Sequence, residues 1–201
     1  MVVDREADEL RLKLVCYGPG LAGKTTNLHY VRERTEPERR TEMLTLATHE
    51  TRLLTFELVP KGLARVAGMG VRFCLFAAPA AIFVEESRRR ALDEADGVVF
   101  VADSQRERLR ANQECLGDLA SKLADYGTST RELPFVLQYN KRELANAMSF
   151  DELEGLLNVP RAPAFSATAR TAEGVFDTLK CVANMMVARA RVHSAPIAPE
   201  I

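Results

Sequence analysis

The chain has 201 residues, of which 47% are hydrophobic and 27% charged, and this composition predicts a single globular domain over residues 1–201. It excludes a disordered chain and a small scaffold that needs disulfides to fold. The 27 basic and 28 acidic residues nearly cancel, so no overall field attracts nucleic acid or an anionic membrane. Any polyanion must therefore be bound by local geometry.

The sequence carries no signal for export or membrane attachment. The amino terminus has no basic segment followed by an apolar one, residue 2 is Val where myristoylation needs Gly, and no prenylation cysteine is present. The longest apolar stretch, residues 73–84, is too short to span a bilayer. The four cysteines lie at least 41 residues apart, which excludes zinc-type spacing and indicates free thiols. We therefore expect a cytoplasmic protein without an anchor.

The first half of the chain is predicted to form a strand, a helix and a hairpin. Residues 10–17 alternate between apolar and polar side chains, which is typical of a strand, and a Gly-rich turn follows. Residues 25–34 are predicted to be helical and to end before Pro37, because the residue before a proline is driven out of helical geometry. Two further strands, 53–59 and 71–76, are close enough in sequence to form a hairpin.

In the second half, helices and strands alternate. Strands are predicted at 97–103, at 135–139 and around 164–165, and helices at 87–95, from 109 to 123, at 150–157 and from 175 to 186. This alternation predicts an α/β fold in which a central, mostly parallel sheet carries helices on both faces. The core is expected to span about residues 10–190, and residues 193–201 are expected to form a loose tail.

Residues 18–25, GPGLAGKT, match the phosphate-loop pattern G-x-x-x-x-G-K-[ST] and lie between a predicted strand and a predicted helix. The glycines allow backbone N–H groups to converge on phosphate oxygens, and the start of the helix adds its positive dipole. Lys24 offers an ammonium group to the β- and γ-phosphates, and Thr25 offers a hydroxyl ligand to Mg²⁺. A plain turn from strand to helix is the alternative. The predicted phosphate-binding residues are Gly18, Pro19, Gly20, Leu21, Ala22, Gly23, Lys24, Thr25 and Thr26.

Two later segments indicate recognition of guanine. Residues 140–143, NKRE, follow a predicted strand and nearly match the N-K-x-D element, in which the Asn and the carboxylate bind the base edge while the Lys stem lies over the ring. A carboxylate that accepts two N–H bonds from guanine rejects adenine. Here the candidate base-binding residues are Asn140, Lys141 and Glu143, and the longer Glu143 must shift or loosen this contact.

The second segment, Ser166-Ala167-Thr168, resembles the S-A-x loop whose backbone N–H contacts the guanine oxygen. Either segment alone is better explained as a surface loop. Their order after a phosphate loop favours a guanine-nucleotide site.

With these motifs the chain resembles the Ras-like superfamily, and more closely the bacterial polarity GTPases of the MglA type, known from gliding motility. The resemblance runs from about residue 10 to 190 and is carried by GPGLAGKTTNLHYV, LATHETR, VRFCLFAAPAAIF, GVVFVADSQRERLRAN, LQYNKREL and EGVFDTLK. It implies a Ras-like P-loop domain that switches between GTP and GDP with Mg²⁺. It also implies a homodimeric roadblock-fold partner, MglB, which accelerates hydrolysis.

Three positions depart from the family pattern. Leu53 stands where a threonine closes on the γ-phosphate and Mg²⁺, Ala80 where a glycine N–H meets the γ-phosphate, and Ala81 where a glutamine orients the attacking water. Three nearby threonines could replace the missing one only with a shifted register, namely Thr48, Thr51 and Thr55. These departures predict a degenerate switch region with slow or absent hydrolysis.

Several residues allow two interpretations. Arg52 aligns with the family's catalytic arginine and is either that residue or an exposed surface arginine. Asp103 ends a predicted strand and is either a Mg²⁺ ligand or a structural residue. The run Arg88-Arg89-Arg90 is expected to be a solvated helix face, with docking of an acidic partner as the alternative.

Three hypotheses about function follow from the sequence. The first is a guanine-nucleotide-binding switch or interaction module of the MglA type with impaired hydrolysis. The second is an active GTPase in which Arg52 and a partner residue replace the missing groups. The third is a scaffold that binds nucleotide weakly and pairs with a roadblock-type protein or a true MglA.

Overall fold

The computed structural model describes residues 1–47, 52–79 and 85–193. Its strands are β1 (Val2–Asp4), β2 (Glu9–Tyr17), β3 (Leu44–Ala47), β4 (Arg52–Leu58), β5 (Gly70–Ala77), β6 (Gly97–Asp103), β7 (Phe135–Asn140) and β8 (Ala164–Ser166). The helices are α1 (Lys24–Arg34), α2 (Glu85–Leu92), α3 (Leu109–Asp125), α4 (Phe150–Leu157) and α5 (Val175–His193), with 3₁₀ turns at Pro37–Arg39 and Arg106–Arg108.

The strands form one mixed sheet in the order β3-β4-β5-β2-β6-β7-β8, and β1 pairs with the start of β2. The pairs from β5 through β8 are parallel, whereas β3, β4 and β5 pair antiparallel as a meander. All seven residues of β6 are buried, as expected for a central parallel strand covered on both faces. The predicted α/β class and the hairpin between β4 and β5 are therefore confirmed.

The parallel arrangement determines where the functional site forms. Strands β2, β6, β7 and β8 run in the same direction, so their carboxyl ends lie at one edge of the sheet. Ligands of open α/β sheets bind at this edge. The loops that follow Tyr17, Asp103, Asn140 and Ser166 all start there.

Helices cover both faces of the sheet. On one face, Leu28 and Val31 of α1 pack with Val182 and Met186 of α5 against β2 and β5. On the other face, α2, α3 and α4 pack against β6 and β7 through residues such as Leu119. No helix in the described ranges is long and apolar enough to cross a membrane.

The structure departs most from the sequence-based boundaries at β1, at β3, at the end of α2 and at the end of α5. β1 and β3 are not predicted, because both are short and gain their order from pairing with β2 and β4. Helix α2 ends at Leu92, three residues before the predicted end, and Glu94 has a left-handed φ of 52°. His193 belongs to α5 and not to the predicted tail, whose other residues, 194–201, lie outside the described residues.

Candidate nucleotide-binding site

The loop between β2 and α1 needs glycine at two positions. Gly18 has a φ of 145°, and a Cβ there would lie 2.2 Å from the Val101 carbonyl oxygen of β6. Gly23 has a φ of 102°, and a Cβ there would lie 2.2 Å from Asn140 Nδ2. Residues other than glycine rarely adopt these φ values, and neither position has room for a Cβ atom. Neighbouring strands thus fix the course of the loop.

The Lys24 side chain, at the start of α1, is almost completely buried beside this loop. It is 5% exposed, and Nζ donates hydrogen bonds to the carbonyl oxygens of Gly18 and Pro19, each at 2.7 Å. Burial lowers the pKa of Lys24 to about 8, because the charged form loses its hydration. A buried ammonium group bonded to two neutral carbonyls is suited to an anionic ligand, which would supply the opposite charge.

The start of α1 has free hydrogen-bonding capacity toward the same point. The first N–H groups of any α-helix have no intrahelical acceptor, and they face anions favourably. Thr25 and Thr26 are exposed in this first turn, so the Thr25 hydroxyl is accessible to a metal ion. Together with Gly23 and Lys24, these residues fit a phosphate group with its Mg²⁺.

Asn140 joins the phosphate loop to the loop that follows β8. Its Nδ2 donates to the Ala22 carbonyl at 2.7 Å, and its Oδ1 accepts the Ala169 N–H at 2.9 Å. The residue is 2% exposed, so both bonds are made in a water-poor environment. Gly23 lies against the same amide group and is also close to Ala169, since a Cβ at Gly23 would lie 3.9 Å from the Ala169 Cβ. Three segments distant in sequence meet at this point.

Lys141, the next residue, forms an ion pair with the buried Asp103. Lys141 Nζ lies 2.6 Å from Asp103 Oδ2, and the Asp103 side chain is 1% exposed. Asp103 Oδ1 accepts the Gln105 N–H at 3.1 Å. Both carboxylate oxygens therefore have protein partners, which favours the structural interpretation of Asp103 over the metal-ligand one.

The remaining predicted base-binding residues take different positions. Glu143 is exposed in the turn after β7. Ser166 ends β8, the Ala167 N–H donates to the Tyr139 carbonyl at 2.8 Å, and the Thr168 N–H donates to the Glu173 carbonyl at 3.0 Å. The N–H of this loop that meets Asn140 belongs to Ala169.

Ala169 was missed at the sequence level. The signal was present, because Thr168-Ala169 repeats the hydroxyl-plus-alanine pattern of Ser166-Ala167 two residues later. The structure distinguishes the two pairs by their N–H groups: the Ala167 N–H bonds to Tyr139 of β7, and the Ala169 N–H bonds to the Asn140 side chain. Arg108 was also missed, and its Nη2 donates to the carbonyl oxygen of Gly20 in the phosphate loop at 2.8 Å.

The residues predicted for the switch region are described only in part. Leu53 lies in β4 opposite Leu46, and its half-buried side chain packs against the core on the α3 face. Thr55 is buried in the same strand, opposite Phe76 of β5. The backbone of Arg52 pairs with Ala47. Four positions of the predictions lie outside the described residues, namely Thr48, Thr51, Ala80 and Ala81.

Arg88 contradicts the expected solvated face. It is 8% exposed, its Nη2 lies 3.2 Å from Asp118 Oδ2, and its guanidinium carbon lies 4.7 Å from the centre of the Tyr17 ring. The Tyr17 hydroxyl donates to the same Asp118 carboxylate. Arg89 and Arg90 are exposed as expected. The prediction fails for Arg88 because α2 lies against α3, which turns this side chain toward the end of β2.

This fold and this site define a P-loop nucleotide-binding domain of the Ras-like α/β class. The chain is 43% identical over 185 residues to the Mutual gliding-motility protein MglA of Myxococcus xanthus (strain DK1622), an alignment that covers 92% of this chain and 95% of that protein. No protein-family model matches the chain. At this identity and coverage, the chain belongs to the MglA-type small GTPases.

Proposed function

We propose that the chain is one G domain that binds GTP and GDP with Mg²⁺ in the cytoplasm and serves as a switch or interaction module. The supporting observation is the meeting of the phosphate loop, Asn140 and the Ala169 loop around Gly23. A role in motility or polarity is proposed from the name of the related protein, a gliding-motility protein.

The phosphate half of the site would work through Lys24 and the start of α1. Lys24 is proposed to exchange its bonds to two loop carbonyls for the β- and γ-phosphates, which relieves the desolvation of its ammonium group. Residues 18–26 are proposed to surround the phosphates with backbone N–H groups. The Thr25 hydroxyl would hold Mg²⁺, which neutralises phosphate charge when bound.

The base half would work through residues 140–143 and the loop after β8. Asn140 is already oriented by two buried hydrogen bonds, and the Lys141 stem is proposed to lie over the base ring. The exposed Glu143 carboxylate would accept the guanine N–H groups. In the loop, Ser166, Ala167 and Thr168 are proposed to form the wall of the base pocket, and Ala169 to be the residue beside the guanine oxygen.

Hydrolysis is proposed to be slow. Leu53 offers only a hydrocarbon side chain where a hydroxyl ligand is expected, and Ala81 has no group that orients water. Thr55 is a poor substitute, because this residue is buried in β4. In the alternative hypothesis of an active GTPase, Arg52 and a residue of a partner would supply the rate acceleration, and the proposed partner is a roadblock-fold dimer of the MglB type. An arginine that stabilises transition-state charge contributes about 10³ to 10⁵ in rate.

Two measurements test the binding proposal. The first is chromatography of the nucleotide released when the purified protein is denatured, and we expect GTP or GDP. The second is thermal unfolding with Mg·GDP, where a ligand at a hundred times its Kd adds about 2.7 kcal/mol to the free energy of unfolding. A protein that releases no nucleotide and shows no shift in Tm refutes guanine-nucleotide binding and supports the scaffold hypothesis.

The hydrolysis proposal needs a separate assay. We expect single-turnover GTP cleavage to be slow with or without a roadblock-fold dimer. Fast cleavage restored by such a dimer contradicts impaired hydrolysis. If cleavage is observed, Arg52→Ala tests whether Arg52 is catalytic. A catalytic Arg52 predicts that this variant loses cleavage and keeps its GDP affinity.

A further inference from the structure

A buried carboxylate connects the base-binding motif to the phosphate loop. Asp103 Oδ2 lies 2.6 Å from Lys141 Nζ on one side and 3.8 Å from Arg108 Nε on the other. Arg108 in turn donates through Nη2 to the Gly20 carbonyl at 2.8 Å. A continuous path of charged contacts therefore runs from the lysine of the base motif to the backbone of the phosphate loop.

Hydrogen bonds from Asn112 and Gln105 hold Asp103 in place. The Asn112 side chain is buried, donates through Nδ2 to the Asp103 carbonyl at 2.8 Å, and accepts the Asp103 N–H at 3.0 Å. The Gln105 N–H holds the other carboxylate oxygen. Reorienting Asp103 would leave buried polar groups without partners, which is unfavourable. Asp103 is thus a rigid support for the two cations beside it.

Arg108 has one polar group left to satisfy. Its Nε is buried and has no hydrogen-bond partner among the described residues. That atom is the one that faces Asp103. A small closure of the 3.8 Å gap would complete a three-member charge cluster and tighten the contact between Arg108 and the loop.

We propose that Asp103 and Arg108 are positioning residues that couple base recognition to phosphate binding, an inference that rests on the nucleotide site proposed above. Asp103 holds the Lys141 ammonium group, so the lysine stem is ordered before the base binds. Arg108 holds the Gly20 carbonyl, so the loop is ordered before the phosphates bind. Neither residue is assigned a contact with the nucleotide. Order that exists before binding raises affinity, because less conformational entropy is lost.

The coupling is testable with a double-mutant cycle on GDP affinity. Asp103→Asn keeps the shape of the side chain and removes its charge. We expect it to weaken GDP binding about ten- to a hundredfold, the range for loss of one hydrogen bond to a charged group. In the Lys141→Met background, the same change should weaken binding by a clearly smaller factor, because the part of its effect that passes through Lys141 is already lost and only the part that passes through Arg108 remains.

Arg108 is tested with pyrophosphate as a competitor that reports on the loop alone. Arg108→Met should weaken GDP and pyrophosphate binding by similar factors. The matched control is Asp96→Asn. Asp96 precedes β6 at its other end and accepts the Lys13 N–H at 2.8 Å, so this variant should bind GDP like wild type. If Asp103→Asn fails to fold, the coupling is measured with the cycle between Arg108→Met and Lys141→Met. Both of these side chains are partly exposed, so we expect these variants to fold.

The outcomes separate this inference from the function on which it rests. Wild-type protein that binds neither GDP nor GTP refutes the nucleotide site itself. Wild-type protein that binds GDP while Asp103→Asn binds equally well overturns only the positioning role. Additive losses in the cycle overturn it as well, because a merely structural residue lowers stability without interacting with Lys141. Unchanged pyrophosphate affinity in Arg108→Met overturns the assignment of Arg108.

Discussion

Replacing Lys24 with methionine in the nucleotide-free protein isolates the free-energy cost of burying an ammonium group in the phosphate loop. Burial lowers the pKa of Lys24 from the ordinary 10.5 to about 8, while the unfolded chain keeps the ordinary value. Between these two values the unfolded state binds a proton that the folded state has lost, so stability rises with pH. The gap corresponds to about 3 kcal/mol of destabilisation that is fully present below pH 8 and relieved by about pH 10.5.

The assay is urea unfolding of the wild type and Lys24→Met, without nucleotide and with a reductant, at several pH values from 7 to 10.5. The variant serves as the reference because other groups also make stability depend on pH in this range. The Cys16 thiol is one of them, because it ionises in the unfolded chain while burial raises its pKa to about 12 in the folded state. We expect the free energy of unfolding of the wild type to rise by up to about 3 kcal/mol relative to the variant. Parallel curves over this range would refute a buried, destabilised ammonium group.

Three further predictions concern other parts of the site and its support. Gly23→Ala should abolish GDP binding and cost at least about 1–3 kcal/mol from backbone strain, whereas Gly117→Ala, in open space on α3, should stabilise by about 0.5–1 kcal/mol. Thermal unfolding decides, and equal effects at the two sites would contradict the steric argument. Glu143→Asp should raise the preference for GDP over inosine diphosphate (IDP), measured as the ratio of their Kd values, about tenfold, because it restores the shorter carboxylate side chain. An unchanged ratio of the two Kd values would contradict its role at the base. Arg88→Met should lower the free energy of unfolding by about 1–3 kcal/mol, because it leaves the Asp118 carboxylate without this partner. A urea midpoint equal to that of the wild type would refute the buried contact.

Much of the fold is predictable from hydrophobic periodicity. The stripe of residues 109, 112, 116, 119 and 123 predicts α3, and the apolar run 97–103 predicts the buried strand β6. Helix α4 is also predicted at its observed bounds, and it is fixed by a capping box between Ser149 and Glu152. These elements carry strong local signals. β1 and β3 do not, because a strand of three or four residues is stabilised mainly by its partner.

The candidate site is predictable at the phosphate loop and less so at the base. Two successive pairs in the loop after β8, Ser166-Ala167 and Thr168-Ala169, have the same residue pattern. The sheet distinguishes them, because the Ala167 N–H extends the pairing with β7 and the Ala169 N–H reaches Asn140. Arg88 is a similar case, since only the packing of α2 on α3 determines which arginine of the run is buried.

The sequence by itself determined the phosphate loop, because its glycines, its lysine and its flanking strand and helix are all local features within residues 10–34. It also determined the order of motifs along the chain. Only the tertiary structure decided that Asn140 meets Ala22, that Arg108 meets Gly20, and that Lys141 meets Asp103, contacts between residues 118, 88 and 38 positions apart. The physical reason is that parallel strands bring their carboxyl ends to one edge, where the burial and pairing of each polar group depend on side chains from other strands.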